Sequence, residues 1–178
     1  MTGGIKIKNV LVKLHTIFWY PTTILTGILA GYMVSNSIML CRFFNWYITS
    51  GNEALLHQTY TVFRLEHSPQ VPYNIPIYVA LLVGILWTIL SFIIKRDRIV
   101  AIIAGLSTLW VGIIFTGISL DEAESAVLSG VANDSVTRHY LNVNVPAHTI
   151  FAIIYIVSLF LLLMSGRRAK KQISKEKV

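Results

Sequence analysis

Four long segments of the chain contain no charged residue, and they predict its architecture. Lys, Arg, Asp and Glu are absent from residues 14–41, 67–94, 99–120 and 139–166. Each segment has at least about 20 residues, the length that a helix needs to cross a hydrocarbon core of about 30 Å. The runs are almost continuously apolar and lack the alternation of strands, so they favour helices. The predicted transmembrane helices cover residues 16–40, 75–94, 99–119 and 145–164.

The whole chain of 178 residues is therefore predicted to be one all-α domain, an integral membrane four-helix bundle at 1–178 that ends in a basic tail at 166–178. Composition agrees, because only 13% of the residues are charged, about half of the usual fraction in soluble domains. A cleaved signal peptide is the alternative for the first segment. Its apolar stretch is longer than the 7–15 residues of a signal core, which favours a retained helix.

The distribution of Lys and Arg predicts the orientation. Of the 15 basic residues, 12 lie in the N-terminal tail, in the short turn Lys95–Arg98 and in the C-terminal tail. The positive-inside rule then places the N- and C-termini in the cytoplasm. The basic run from Arg167 to Lys171 is interpreted as a stop-transfer signal that contacts the anionic headgroups of the lipid bilayer. The net charge of +7 does not lie on one face of a folded domain, so no nucleic acid is expected as a partner.

The first outer segment, residues 41–74, is predicted to contain a short amphipathic helix. Asn52 offers a helix cap, and Leu56, Tyr60 and Phe63 follow at spacings that put them on one helical face. Two interpretations stay open for this helix: it lies on the bilayer or caps the bundle, or it forms a lid over a ligand. The prolines after it, at positions 69, 72 and 76, predict an extended entry to the second helix.

The second outer segment, residues 120–144, carries signals for another short helix. Ser119 and Glu122 match a capping box, and Gly130 can end the helix that follows. Asn133 offers a further cap before a second short helix over residues 136–141. Pro146 fits the first turn of the fourth transmembrane helix.

Small residues predict where the long helices approach each other. Gly27 and Gly31 form a GxxxG pair, and the pairs Ala80–Gly84 and Ala101–Gly105 have the same spacing. The short turn Lys95–Arg98 makes the second and third helices antiparallel neighbours, which favours an intrachain bundle. A homo-oligomer or a membrane-protein partner stays open.

No metal and no cofactor is predicted. Four of the five histidines lie on the outer side, at positions 57, 67, 139 and 148, but none forms an HxxxH or HxxE pair. Cys41 is the only cysteine, which excludes a cluster of thiolates. Metal binding by converging outer histidines is left as the alternative.

The candidate site lies where the fourth helix enters the membrane. His148 is an ionisable side chain in the first turn of that helix, and such groups are functional candidates in membranes. Four polar residues that could line a pocket with it precede it in sequence, namely Arg138, His139, Asn142 and Asn144. A fifth, Asn36, lies near the outer end of the first helix. The structural alternative is that His148 contacts headgroups or a neighbouring helix.

The order of these features resembles the anthrone oxygenase-like family of small four-helix membrane proteins, most of them of unknown function. The resemblance covers about residues 16–165 and rests on five features: Gly27–Gly31, Phe63-Arg64, the charged turn, the run Thr116–Ala123 and the stretch from Tyr140-Leu141 to Pro146-Ala147-His148. It implies cofactor-independent oxygenation of an activated polycyclic, phenol-like ketone. In that reaction His148 would remove a proton from the substrate, and Asn142, Asn144 or Arg138 would stabilise the enolate oxygen.

The sequence leads to three expected functions, and it does not decide whether the chain is an enzyme. It is a packing or accessory membrane protein, a protein that binds an apolar small molecule at the outer face, or an oxygenase-like enzyme at the outer mouth of the bundle. A cavity that reaches from the outer segments into the bundle would favour the second or third of these, and a filled interior the first.

Overall fold

The computed structural model describes residues 2–67 and 70–175, with side chains at positions 7–67 and 71–166; within these ranges every regular element is a helix. The α-helices are α1 (Thr2–Ser35), α2 (Cys41–Thr49), α3 (Glu53–Leu56), α4 (Val62–His67), α5 (Gln70–Ile93), α6 (Arg98–Val100), α7 (Ser107–Gly117), α8 (Leu120–Leu128) and α9 (Asp134–Lys175). Three five-residue π-helical turns lie between some of them, at Asn36–Leu40, His57–Thr61 and Ala101–Gly105.

Three of the helical stretches are long and apolar enough to cross a membrane: Ile7–Thr49, Val71–Ile93 and Asp134–Gly166. A fourth is present if Arg98–Gly105 and Ser107–Gly117, which are bent by 43° relative to each other, form one span. The prediction of an all-helical chain with several apolar helices is thus confirmed, and these helices suggest a membrane location. Where one straight third helix was expected, the chain bends at Leu106, directly after a π-helical turn.

The first and last long helices extend beyond the predicted spans. The first does not end near residue 40, because the π-helical turn Asn36–Leu40 leads directly into α2. The last long helix begins at Asp134, so the prediction of a separate short helix over residues 136–141 is wrong. Pro146 consequently lies inside a helix and not in its first turn. Only the Asn142 carbonyl, on an exposed residue, loses its helical partner to the proline.

Three further local predictions are corrected. The entry to the second apolar segment is not extended over its described part, because α5 begins at Gln70 and includes Pro76. Ser119 precedes α8 in a left-handed conformation, with φ of 51°, and its side chain makes no capping hydrogen bond. The side chain of Asn52 likewise makes no capping hydrogen bond to α3.

The local signals around the start of α9 are confirmed. Gly130 adopts a φ of 73° after α8, a left-handed conformation that glycine adopts without strain. The Oδ1 atom of Asn133 accepts hydrogen bonds from the backbone N–H groups of Ser135 and Val136, each at 3.0 Å. This arrangement satisfies N–H groups in the first turn of α9 that have no partner within the helix.

α1 packs mainly against α5 and α9, while α8 packs against α9. At one end, the fully buried indole of Trp87 forms a core cluster with Ala101, Ala104 and Leu162. The small-residue prediction holds best at Gly84, where the backbone of Gly105 is so close that a Cβ atom would overlap its carbonyl oxygen. Side chains of the basic tail predicted at 166–178 lie, from position 167 on, outside the described residues.

Candidate functional site

A cavity of about 480 Å³ lies between the long helices and the short ones that follow them. One wall is a stripe of α9 side chains, at Tyr140, Asn144, His148, Phe151 and Tyr155. These residues recur every three or four positions, which places them on one helical face. They extend over 16 residues, so the cavity follows the helix for about 20 Å.

Apolar and aromatic side chains form most of the remaining wall, among them Phe44, Ile77, Val111 and Phe115. At the far end of the cavity, Tyr155 lies beside Thr108 of α7, which also belongs to the wall. Polar and charged groups collect at the opposite end, where α4 and α8 contribute. Apolar walls with a few converging polar groups are typical of small-molecule sites.

His148 is 7% exposed and belongs to the cavity wall. Its Nδ1 atom lies 2.9 Å from the carbonyl oxygen of Asn144, and its ring meets Phe151 edge to face at 5.7 Å. A carbonyl oxygen only accepts hydrogen bonds, so Nδ1 carries the proton. In the neutral ring, Nε2 therefore has the free lone pair that a general base requires.

Asn144 is only 1% exposed, and its side-chain amide connects α9 to α2. The amide nitrogen donates hydrogen bonds to Oδ1 of Asn45, at 2.9 Å, and to the carbonyl oxygen of Cys41, at 3.3 Å. Asn45 in turn donates to the carbonyl oxygen of Leu141. These bonds hold the cavity wall in one geometry next to His148.

The charged residues of the cavity are Arg64 of α4 and the acidic pair Asp121 and Glu124 of α8. Burial raises the pKa of the Glu124 carboxyl, while the Arg64 guanidinium, and His148 whenever its ring is protonated, act in the opposite direction. The Tyr60 hydroxyl, on the same side of the cavity, also has a pKa raised by burial. Charged groups shielded from water in a cleft often mark functional sites.

Sequence reasoning missed Arg64, Asp121 and Glu124, although a signal for Glu124 existed. The buried residues of α8 are Leu120, Ala123, Val127 and Leu128. Position 124 lies in the middle of the helical face that these residues form. A carboxylate at the centre of an apolar helical face is unusual enough to be a candidate functional residue.

Two of the three π-helical turns contribute to the cavity. Asn36 and Leu40 come from the turn Asn36–Leu40, and Tyr60 comes from His57–Thr61. A π-helical turn adds a residue to a helix and rotates the following side chains, and such turns are frequent at functional sites. Here they direct polar and aromatic side chains of two different segments toward one space.

Only half of the sequence-predicted site residues meet in the cavity. Asn36, Asn144 and His148 lie in its wall. The other three, Arg138, His139 and Asn142, are exposed and outside it. Nε of Arg138 donates to the Asp134 carbonyl, and the His139 imidazole makes a 2.8 Å hydrogen bond with the carbonyl of Ile118. The continuous α9 explains the division, because it gives these residues and His148 different faces of one helix.

Among the described residues, no three side chains of His, Cys, Asp or Glu converge in a way that could hold a metal ion. His57, one of the outer histidines, instead makes a 3.0 Å hydrogen bond with the backbone carbonyl of Val127. Its position is thus explained by packing between the π-helical turn His57–Thr61 and α8.

No protein-family model, curated protein or solved structure matches this chain. The cavity offers apolar and aromatic walls that suit an apolar molecule, together with carboxyl, guanidinium and imidazole groups that can form polar contacts with it.

Proposed function

We propose that the chain is an integral membrane protein with four transmembrane helices, in which the bent pair Arg98–Gly105 and Ser107–Gly117 forms the third span. The four uncharged segments and the outward-facing apolar side chains of the long helices support this. Both termini are then cytoplasmic, as the concentration of Lys and Arg in the tails and in the turn Lys95–Arg98 indicates. Extraction of the protein by alkaline carbonate, or labelling of its C-terminal lysines on intact cells from outside, would contradict this topology.

Within that framework the proposed function is binding of a small, largely apolar molecule at the outer end of the helices. The observation that carries the proposal is the cavity of about 480 Å³, with its aromatic walls and charged end. A purely packing or accessory role does not require such a space, because helices that only support a complex are closely packed. The volume falls within the range of ordinary small-molecule sites.

The test fills the cavity and measures ligand binding. Anthrone, a three-ring ketone, is titrated into the detergent-solubilised protein while tryptophan fluorescence is recorded. Val111→Trp places an indole in the buried wall of α7, whereas Ile113→Trp places it on an exposed position of the same helix. Val111→Trp should abolish binding, and Ile113→Trp should retain it. Absence of binding to the wild-type chain, or equal binding by both variants, would overturn the proposal.

A second candidate function is the oxygenation of a polycyclic ketone, the activity implied by the resemblance to the anthrone oxygenase-like family. The specific observation in its favour is His148, whose Nδ1 bond to Asn144 leaves Nε2 as an acceptor in the cavity wall. The base removes a proton from the substrate carbon, and dioxygen adds to the resulting carbanion. One oxygen atom stays as the new carbonyl, and the other leaves as water.

Conversion of anthrone to anthraquinone, measured by absorbance against the uncatalysed rate, tests this second function. His148→Ala should reduce the enzymatic rate by about 100-fold or more. His67→Ala replaces an exposed histidine outside the cavity wall and serves as the control. Unchanged turnover in His148→Ala would exclude His148 as the base.

A further inference from the structure

The charged end of the cavity contains more carboxyl groups than guanidinium groups. Asp121 and Glu124 are three positions apart in α8, so their side chains share one helical face, and both belong to the cavity wall. Arg64 is the one Lys or Arg among the described residues of that wall. Two carboxyl groups thus stand against one guanidinium group.

The hydrogen-bonding capacity of this end is not fully used. The Oδ1 atom of Asp121 is buried, and within the described part of the chain it has no hydrogen-bond partner. A buried carboxylate oxygen without a donor destabilises the fold, because the water it has lost is not replaced by another donor. A ligand that brings an N–H donor would remove this destabilisation.

Aromatic rings surround the same end. Phe44 and Tyr60 pack with ring centroids 4.7 Å apart, and Tyr73 and Tyr140 belong to the same wall. The faces of such rings attract cations, and aromatic cages that bind ammonium groups combine this attraction with carboxylates. Further along α9 the wall is formed by Phe151 and Tyr155, which suits an apolar body.

We propose that the cavity binds a lipophilic primary amine, whose ammonium group is held by Asp121 and Glu124 while its apolar body extends along α9 between the aromatic side chains. The inference rests on the proposed small-molecule function and specifies its ligand. It differs from the oxygenase hypothesis, in which the recognised groups are a ketone and its enolate. The ammonium can belong to a free amine or to the ethanolamine headgroup of a membrane lipid.

The environment of Glu124 adds a consequence that can be measured. Burial raises the pKa of its carboxyl, and an ammonium placed beside it favours the ionised form. At any pH at which part of the Glu124 carboxyl groups is still protonated, binding of a protonated amine therefore releases protons to solvent as the ion pair forms. Calorimetry in two buffers of different ionisation heat should report this proton release.

The experiment compares naphthylethylamine with naphthylethanol, a neutral analogue of similar size, by calorimetric titration of the detergent-solubilised protein. The wild-type chain should bind the amine about tenfold or more tightly than the alcohol, since a hydrogen bond to a charged group is being gained. In the double variant Asp121→Asn/Glu124→Gln this preference should fall to within about twofold, with alcohol binding retained as evidence of folding.

Glu122→Gln is the matched control, because it removes a carboxylate from an exposed position of the same helix. It should keep the preference for the amine. Alcohol and amine binding with equal affinity to the wild-type chain would overturn the amine proposal and leave the binding function standing. An unchanged preference in the double variant would overturn it as well, and absence of binding by both probes would overturn both proposals.

The two sources of the ammonium are separated in nanodiscs. Phosphatidylethanolamine should weaken binding of naphthylethylamine, relative to discs of phosphatidylcholine alone, if the lipid headgroup occupies the site. Equal affinity in both discs assigns the site to a free amine. Both results support the shared ammonium chemistry, provided that the preference depends on Asp121 and Glu124.

Discussion

The Nε2 atom of His15 in α1 lies 3.0 Å from the hydroxyl oxygen of Ser91 in α5, and both side chains are almost fully buried. The Ser91 hydroxyl itself donates to the carbonyl oxygen of Trp87, at 2.9 Å. The imidazole is therefore the donor in its contact with Ser91. This pair connects two long helices next to Trp87, whose ring centroid lies 5.3 Å from that of the His15 imidazole at an interplanar angle of 34°.

Ser91→Ala should reduce the free energy of unfolding in detergent by about 0.5–2 kcal/mol, because His15 loses its acceptor in a buried environment. Thermal unfolding followed by circular dichroism measures the effect. Ser35→Ala, at an exposed position of α1, provides the control and should leave the transition temperature unchanged. Equal stability of both variants would show that the contact contributes nothing.

The contact between Gly84 and Gly105 predicts a steric effect of a single methyl group. A Cβ atom at position 84 would overlap the Gly105 carbonyl oxygen. Gly84→Ala should therefore separate the helices and reduce stability by about 1–3 kcal/mol. Gly31→Ala is the matched control, since nothing lies within 4 Å of a Cβ atom there; it should be neutral or stabilise by up to about 1 kcal/mol. A neutral Gly84→Ala would argue against this packing.

The pH dependence of stability should reveal Glu124. Burial raises the native-state pKa of its carboxyl above the ordinary value of 4.5. Between those two pKa values the native state binds more protons than the unfolded state, so the carboxyl destabilises the fold increasingly as the pH rises through that interval. Glu124→Gln does not titrate, and its stability relative to the wild type should therefore increase as the pH rises above 4.5, the ordinary value for this carboxyl.

The groups that act on this carboxyl come from several elements and remain in the variant. They are Arg64, His148, Tyr60, Tyr140 and Cys41. Glu122→Gln, at an exposed position, should show no such trend. A stability difference between Glu124→Gln and the wild type that is constant with pH, or that shrinks as the pH rises, is the result that contradicts the prediction.

Asn144 and Asn142 should differ sharply although they are two positions apart. Asn144→Ala removes the bonds to Asn45 and Cys41 and leaves Oδ1 of Asn45 without this donor. It should cost about 1–3 kcal/mol. Asn142→Ala changes an exposed side chain outside the cavity wall and should stay within about 0.5 kcal/mol of the wild type. Similar losses in both variants, measured by chemical denaturation, would contradict the network.

Short-range signals in this chain were reliable where the physics is local. The absence of charge over more than 20 residues identified the apolar helices, because lipid tolerates neither ions nor unpaired backbone groups. Asn133 caps α9 and Gly130 ends α8, as predicted. Both predictions were reliable because a cap depends only on the adjacent helical turn. Ser119 failed as a cap because its backbone adopts a left-handed conformation, which the residue type does not reveal.

The helical, apolar character of the chain was already present in the order of its residues, because the length and the hydropathy of a segment depend on its own composition alone. Which side chains line the cavity was decided by the tertiary structure, because the residues that meet there lie far apart in the sequence. Arg64, Glu124 and His148 are separated by 60 and 24 positions along the chain, and they share one space because π-helical turns and an unbroken α9 set the rotation of each helix about its own axis. The rotation of each helix about its axis depends on how the side chains of all the helices pack together, so only the tertiary structure decides it.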